Sequence, residues 1–236
     1  MLVVNPAYKA VTEAWFDPAH WGTRAKPVSA GGRGSAWFLE TDQGDMVLRH
    51  YRRGGLVARI SERSYIFTGR RRTRSCQEFH LLKTLHDRGL PVPEPVAAWW
   101  GERRGLWYQA AILVRRIDCA VPLPEAPKLA YAALWHQLGG MIRRFHDAGL
   151  DHVDLNCDNI LVAGGELYLI DLDRCRLRVG SDEAAWKADN LQRLRRSVEK
   201  RVVQVTEPQR NSLWEYLCEG YHRRPLSGSL AGQDYL

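Results

Sequence analysis

The twenty residues from His152 to Asp171, HVDLNCDNILVAGGELYLID, constrain this chain more than any other stretch. Asp154, Asn159 and Asp171 stand around two short apolar runs, ILVA and LYLI, which read as a strand pair turned at Gly164 and Gly165. Three local structures crowd acids and amides this way: a calcium loop, a polar turn, or a centre that combines a base with metal ligands.

The calcium loop fails on geometry. Asp154, Asn156 and Asp158 match its first three ligand positions, but its sixth residue must be Gly and its twelfth a bidentate Glu. Those positions hold Asn159 and Gly165, and Glu166 comes one residue late. Phosphoryl transfer asks for a base that takes the proton of an attacking hydroxyl and for oxygens that hold Mg²⁺ against a triphosphate. The loop pattern H-R-D-x-x-x-x-N supplies them, and HVDLNCDN has that spacing in His152, Asp154 and Asn159, with Val153 in place of the Arg. A second Asp on the following strand completes the metal site, and Asp171 fills that place. An isolated H-x-D arises by chance in many chains, and a plain capping turn is the competing reading. The ordered set is more specific because a helix precedes it: Leu134, Leu138, Met141 or Ile142, and Phe145 form one apolar stripe, closed by Gly149.

The same chemistry requires parts upstream. Backbone N–H groups of a Gly-rich turn can cradle phosphates, and Gly31, Gly32, Gly34 and Ser35 in GGRGS are the candidates. A cation on the next strand should touch the phosphates and pair with a Glu on the following helix. No Lys occurs between Lys26 and Lys83, so Arg49 takes the cation's part and Glu78 the acid's. The alternative is an exposed strand Arg and a surface helix Glu. Around them SAWFLET and MVLRHY read as a hairpin turned at Asp42 to Asp45. Phe79, Leu82, Leu85 and His86 mark a helix stopped at Gly89, and WYQAAILVRRI reads as extended. The expected organisation is α+β and bilobal: a small β-rich N-lobe over residues 1–117 and a short, mostly helical C-lobe over 118–236 with two closing helices.

Charge and cysteines bound the setting. The formal charge is +7, and nine arginines lie between Arg49 and Arg74 against the single acid Glu62. Such a stretch is either a solvated face or a surface for an anionic partner, and Arg suits phosphate through its bidentate fork. The five cysteines are scattered with no C-x-x-C, which suggests neither a disulfide framework nor zinc and fits a reducing cytoplasm. No signal peptide and no bilayer-spanning run is expected.

With these residues in hand, the chain resembles the 3-deoxy-D-manno-octulosonic acid (Kdo) kinases of lipopolysaccharide assembly, relatives of the core heptose kinases within the protein-kinase-like superfamily. GGRGSAWFL, LRHYRRGGL, TRSCQEFHLLKTLHDRGLPVPEPVAA, YQAAIL, HVDLNCDNILV, LIDLDRC and WKADNLQRLRRSVEK carry the resemblance, which spans most of Gly31 to Lys200. It implies ATP- and Mg²⁺-dependent phosphorylation of the Kdo sugar, at its 4-OH, on a lipid A precursor. The enzyme would sit peripherally at the cytoplasmic face of an anionic inner membrane, with no nucleic acid and no obligate protein partner. By motif position, Asp154 is the catalytic base and Asn159 and Asp171 are the metal ligands. Gly31, Gly32, Gly34, Ser35, Arg49 and Glu78 form the nucleotide site. Asp173 is either a second contact to metal or substrate or a solvated or salt-bridged strand-end residue. The family also carries Arg at the strand position of Arg49. A heptose kinase or another sugar phosphotransferase of the same fold is the alternative, ahead of a basic membrane- or nucleic-acid-binding module.

The rivals are weaker. A protein kinase would need D-F-G and A-P-E and room for a peptide-binding segment, but only about fifteen residues separate Asp171 from Trp186. An aminoglycoside-type kinase would favour an acidic pocket for its cationic substrate. A nucleic-acid binder would gain nothing from carboxylates that repel phosphate. Trp99, Trp100 and Trp107 suit either a membrane interface or the core, and the core is the commoner fate.

Overall fold

The computed structural model describes residues 1–28, 36–51, 65–66, 73–103, 107–178 and 184–223. The Gly31–Ser35 turn, the seven arginines from Arg52 to Arg72, and the tail after Pro225 lie outside them, as does the Trp107 side chain.

The first lobe is an antiparallel sheet backed by one long helix. Its strands are β1 (Leu2–Val4), β2 (Ala25–Pro27), β3 (Ala36–Leu39), β4 (Met46–His50), β5 (Tyr65–Ile66), β6 (Pro95–Arg103) and β7 (Trp107–Arg115). The order is β1-β6-β7-β4-β3-β2, with β5 paired to β7. The expected β3–β4 hairpin is present: Gly44, at φ 96°, gives its N–H to Thr41 O at 3.0 Å, and Thr41 Oγ1 returns a bond to Gly44 O at 2.7 Å. The stretch around Pro91, Pro93 and Pro95 reads in sequence as a proline-punctuated connection, yet β6 begins at Pro95 itself. Proline is tolerated there because a strand's first residue need not donate, and the register slips between Pro95 and Ala97.

Period-two alternation buries both faces of the sheet. Ala110 and Ile112 of β7 join the core beneath helix α2 (Arg74–Asp87), while Ala111 and Leu113 join a second core on the far side. That second core is closed by the N-terminal segment. There Phe16 precedes a single helical turn, α1 (Pro18–Trp21), and Trp21 packs beside Leu39, Met46 and Leu48. β1 also covers the edge of β6. Trp100 is core, and Trp99 is half-buried with its ring stacked on Phe16 at 6.2 Å. In α2, Phe79, Leu82 and Leu85 are buried, but His86 is exposed, which corrects the sequence stripe.

The second lobe holds β8 (Val121–Pro122), α3 (Ala132–Asp147), β9 (Leu150–Asp151), β10 (Ile160–Ala163), β11 (Glu166–Leu169), β12 (Arg176–Leu177), α4 (Ala185–Arg201) and α5 (Glu207–His222). The α3 stripe is buried at Leu134, Leu138, Met141, Ile142 and Phe145, and Gly149 ends the helix at φ 87°. α3 and α5 pack backbone to backbone. A Cβ on Gly139 would stand 2.0 Å from Leu217 O, and one on Gly220 2.1 Å from His136 O. One hydrophobic core runs from Phe79 of α2 through Leu123 to α3 and α5, so the two lobes share it. All five cysteines are free thiols.

Candidate active site

The HVDLNCDN loop is built from local hydrogen bonds. Asn156 caps the short turn Cys157–Asn159, its Oδ1 accepting from Asp158 N at 3.0 Å and Asn159 N at 3.1 Å. The Asp154 carbonyl accepts from Asn156 Nδ2 at 3.1 Å and Asn159 Nδ2 at 3.0 Å, which leaves Asn159 Oδ1 as that amide's ligand atom. Asp154 itself is exposed. The buried His152 lies 3.1 Å by Nε2 from Ile170 O. A carbonyl only accepts, so Nε2 donates, and this bond fastens the loop to the residue before Asp171. Burial lowers the His152 pKa and keeps the ring neutral.

Asp171 follows β11 at φ 59°, a left-handed conformation that Asp tolerates better than most side chains. Its carboxylate meets Arg49 Nη1 from the opposite lobe. The other end of that guanidinium holds both oxygens of Glu78, at 2.5 and 2.6 Å. Glu78 is buried and also accepts from the Tyr51 hydroxyl. Burial pushes the Glu78 carboxyl up, and Arg49 works against it. Burial alone would lower Arg49, but Glu78 and Asp171 hold it above its ordinary value. Sequence alone did not reveal Tyr51, since its role depends on lying across from α2.

A second bridge lies beside the first. Arg74, at the start of α2, donates from Nε to Asp173 Oδ1 at 2.8 Å and pairs through Nη2 with the other oxygen. Asp173 is therefore an ion-paired residue. The Tyr51 ring lies between the two arginines, 5.0 Å from the Arg49 guanidinium and 5.5 Å from that of Arg74. The two described arginines of the basic stretch thus face acids across the lobes.

Arg49, Glu78, Asn159 and Asp171 line one cleft between the lobes. Arg115 also lines it, and the rest of its wall is mainly apolar, with Val47, Leu82, Ile112, Val114, Leu161 and Ile170. A slot of this kind accepts a flat heterocycle, with charged groups gathered at one end. Gly31, Gly32, Gly34 and Ser35 lie outside the described residues. Among the described residues no helix is long and apolar enough to cross a membrane.

Comparison with known proteins bears on this geometry. Residues 18–221 match the family described as the lipopolysaccharide kinase (Kdo/WaaP) family. A 3-deoxy-D-manno-octulosonic acid kinase of Stenotrophomonas maltophilia (strain K279a) is 50% identical over 187 residues, covering 78% of this chain and 74% of that protein. One of the same description from Xylella fastidiosa (strain M23) is 45% identical over 208 residues, covering 87% and 82%. Among solved structures, WaaP in complex with acyl carrier protein superposes with a TM-score of 0.57 at 17% identity, over 95% of this chain and 90% of that one. At that identity the likeness speaks for the fold, which is bilobal and protein-kinase-like.

Proposed function

The chain belongs to the lipopolysaccharide kinase (Kdo/WaaP) family, and we propose that it transfers the γ-phosphoryl group of ATP to a hydroxyl, the 4-OH, of a Kdo sugar on a lipid A precursor. The observation that carries this reading is the cleft in which Arg49, Glu78, Asn159 and Asp171 converge, beside the loop bearing Asp154, in a chain half identical to a Kdo kinase. We place the boundary between the lobes at residues 117 and 118.

In this reading the apolar walls take the adenine ring. The Gly31, Gly32, Gly34 and Ser35 turn contributes backbone donors to the phosphates. Arg49, oriented by Glu78 and Tyr51, meets the phosphates with a planar fork. Asp154, exposed at the mouth of the loop, accepts the proton of the acceptor hydroxyl. Asp171 and Asn159 Oδ1 fit Mg²⁺, which is bound through one or two protein oxygens together with substrate phosphates. Bound there, Mg²⁺ neutralises charge developing on the phosphate oxygens.

The acceptor is anionic and lipid-linked, and the reading places the enzyme peripherally on the cytoplasmic face of an anionic membrane. The seven arginines from Arg52 to Arg72 support this, because each Lys or Arg near such a surface contributes about 1 kcal/mol. The test is incubation with labelled ATP and three acceptors: Kdo-bearing lipid A precursor, heptosylated core and a generic protein. Label is expected on the first alone. Label on the heptosylated core alone would reassign the substrate, and none on any would remove the kinase reading.

A further inference from the structure

After Asp171 the chain places arginines at alternate positions, Arg174, Arg176 and Arg178, and the structure commits two of them. β12 runs antiparallel to β9, with Arg176 opposite Asp151 and Leu177 opposite Leu150. The buried Asp151 carboxylate accepts from Arg178 Nε at 2.6 Å, Arg176 Nε at 3.4 Å and Asn190 Nδ2 at 3.0 Å. Asp173 is taken by Arg74, and Asp171 by Arg49.

Arg174 differs from its neighbours. It is exposed, and among the described residues no acid pairs with it. Its backbone is left-handed at φ 61°, where a side chain crowds its own carbonyl and Gly or Asn would sit more easily. Strain of this kind concentrates at functional positions. Its surroundings place it beside the catalytic loop. One step beyond the Arg176–Asp151 pair, the Cys175 thiol reaches the Val153 backbone. Arg174 is the chain neighbour of Cys175, whose thiol reaches Val153, the residue before Asp154 and the place where the related loop pattern has its own Arg.

Electrostatics says what such a cation would bind. An acidic sugar approaching Asp154 meets like charge. The neighbouring acids Asp151, Asp171 and Asp173 are each offset by an arginine, whereas Asp154 forms no ion pair among the described residues. We propose that Arg174 binds an acidic group of the acceptor, a carboxylate or a phosphate, and so holds the acceptor hydroxyl at Asp154. This deepens the function proposed above and rests on it.

The experiment measures steady-state kinetics of the full chain and of Arg174→Ala, Arg174→Gly and Arg174→Lys. The acceptors are Kdo-bearing lipid A precursor, its Kdo methyl ester and its dephosphorylated form. Losing a charge-assisted contact should raise the acceptor KM roughly 10- to 100-fold in the Ala and Gly variants, with the KM for ATP unchanged and Lys in between. Glycine suits φ 61°, so Arg174→Gly should melt no lower than wild type, which separates lost binding from lost fold. If the group is the carboxylate, the methyl ester costs wild type the same factor and the Gly variant nothing more; if a phosphate, the dephosphorylated acceptor does so. An unchanged acceptor KM in Arg174→Gly, or an equal rise for ATP and acceptor, overturns the role of Arg174 alone. A wild-type protein that labels none of the three acceptors overturns the proposed function and this inference with it.

Discussion

Arg49 on β4 is ion-paired with Asp171, two residues beyond the end of β11 in the other lobe. The same guanidinium holds Glu78 by both oxygens, so one side chain connects α2, the sheet and the candidate metal ligand. A lysine cannot reproduce this, because its ammonium is a single point without a planar fork. Arg49→Lys is expected to lower kcat/KM by about 10- to 100-fold, the scale of one or two charge-assisted bonds, with most of the effect in the KM for ATP. Arg49→Ala strands a buried carboxylate and should cost roughly 3–5 kcal/mol of stability. Urea denaturation together with ATP kinetics checks both, and an Arg49→Lys variant with wild-type constants would count against a role at the phosphates.

Asp154 is assigned the proton from the acceptor hydroxyl, and its exposure leaves the fold indifferent to its charge. Asp154→Asn should lower kcat by about 10²- to 10⁴-fold, the usual range for a positioned base. Melting temperature and ATP affinity should stay near wild type. Turnover within a few-fold of wild type would move the base elsewhere.

Asn159→Ala and Asp171→Ala test the metal ligands separately from the base. Each removes one oxygen from a two-ligand site, so half-maximal activity should need more Mg²⁺, about tenfold for a single charge-assisted contact. Asn159→Ala also removes the bond from Nδ2 to the Asp154 carbonyl, so it should lower kcat as well. A Mg²⁺ titration unchanged in both variants would exclude them as ligands.

The parts of this site that were legible in sequence are those made by short-range geometry. Asn156, Asp158 and Asn159 form one capped turn within four residues, and the H-x-D-x-x-x-x-N spacing follows from it. The strand hairpin and the α3 stripe are readable for the same reason, since period and turn chemistry are local. Long-range pairings were not readable. Tyr51 reaches Glu78 only because α2 packs against the sheet, and Arg74 reaches Asp173 across 99 residues of chain only because the lobes meet there. Composition records both Arg49 and Arg74 as positive charge and cannot distinguish an arginine facing an acid from one facing water. β1 escaped notice because three apolar residues carry no period, and only the exposed edge of β6 makes them a strand.

The basic stretch makes a prediction that depends on charge alone. Reversing Arg70, Arg71 and Arg72 to Glu changes the local charge by six, since each substitution replaces one positive charge with one negative. Binding to vesicles containing anionic lipid should fall steeply, and wild-type binding should weaken as salt rises and the screening length shortens. Kinetics on a short, detergent-free Kdo acceptor should change much less. Equal vesicle binding by wild type and variant would make the stretch a solvated surface.

Acid stability provides the last prediction. His146 is buried between Trp186 and Tyr221, with Nδ1 2.7 Å from the Tyr221 hydroxyl, and among the described residues its Nε2 finds no partner. Burial and the nearby Lys187 and Arg143 charges lower its pKa from 6.5 to about 3. The folded chain thus refuses a proton that the unfolded chain accepts, and by linkage stability falls as pH drops from 6.5 towards 3. Above that window the contribution is fully present. One such site contributes at most about 1.4 kcal/mol per pH unit, and His152, shifted the same way, adds to the slope. Urea midpoints measured between pH 7 and pH 5 avoid most carboxylate titration and should decline across that range. In His146→Gln the decline should be shallower but not abolished, because His152 remains. A wild-type midpoint that is flat over those two units would show that His146 takes up its proton without unfolding.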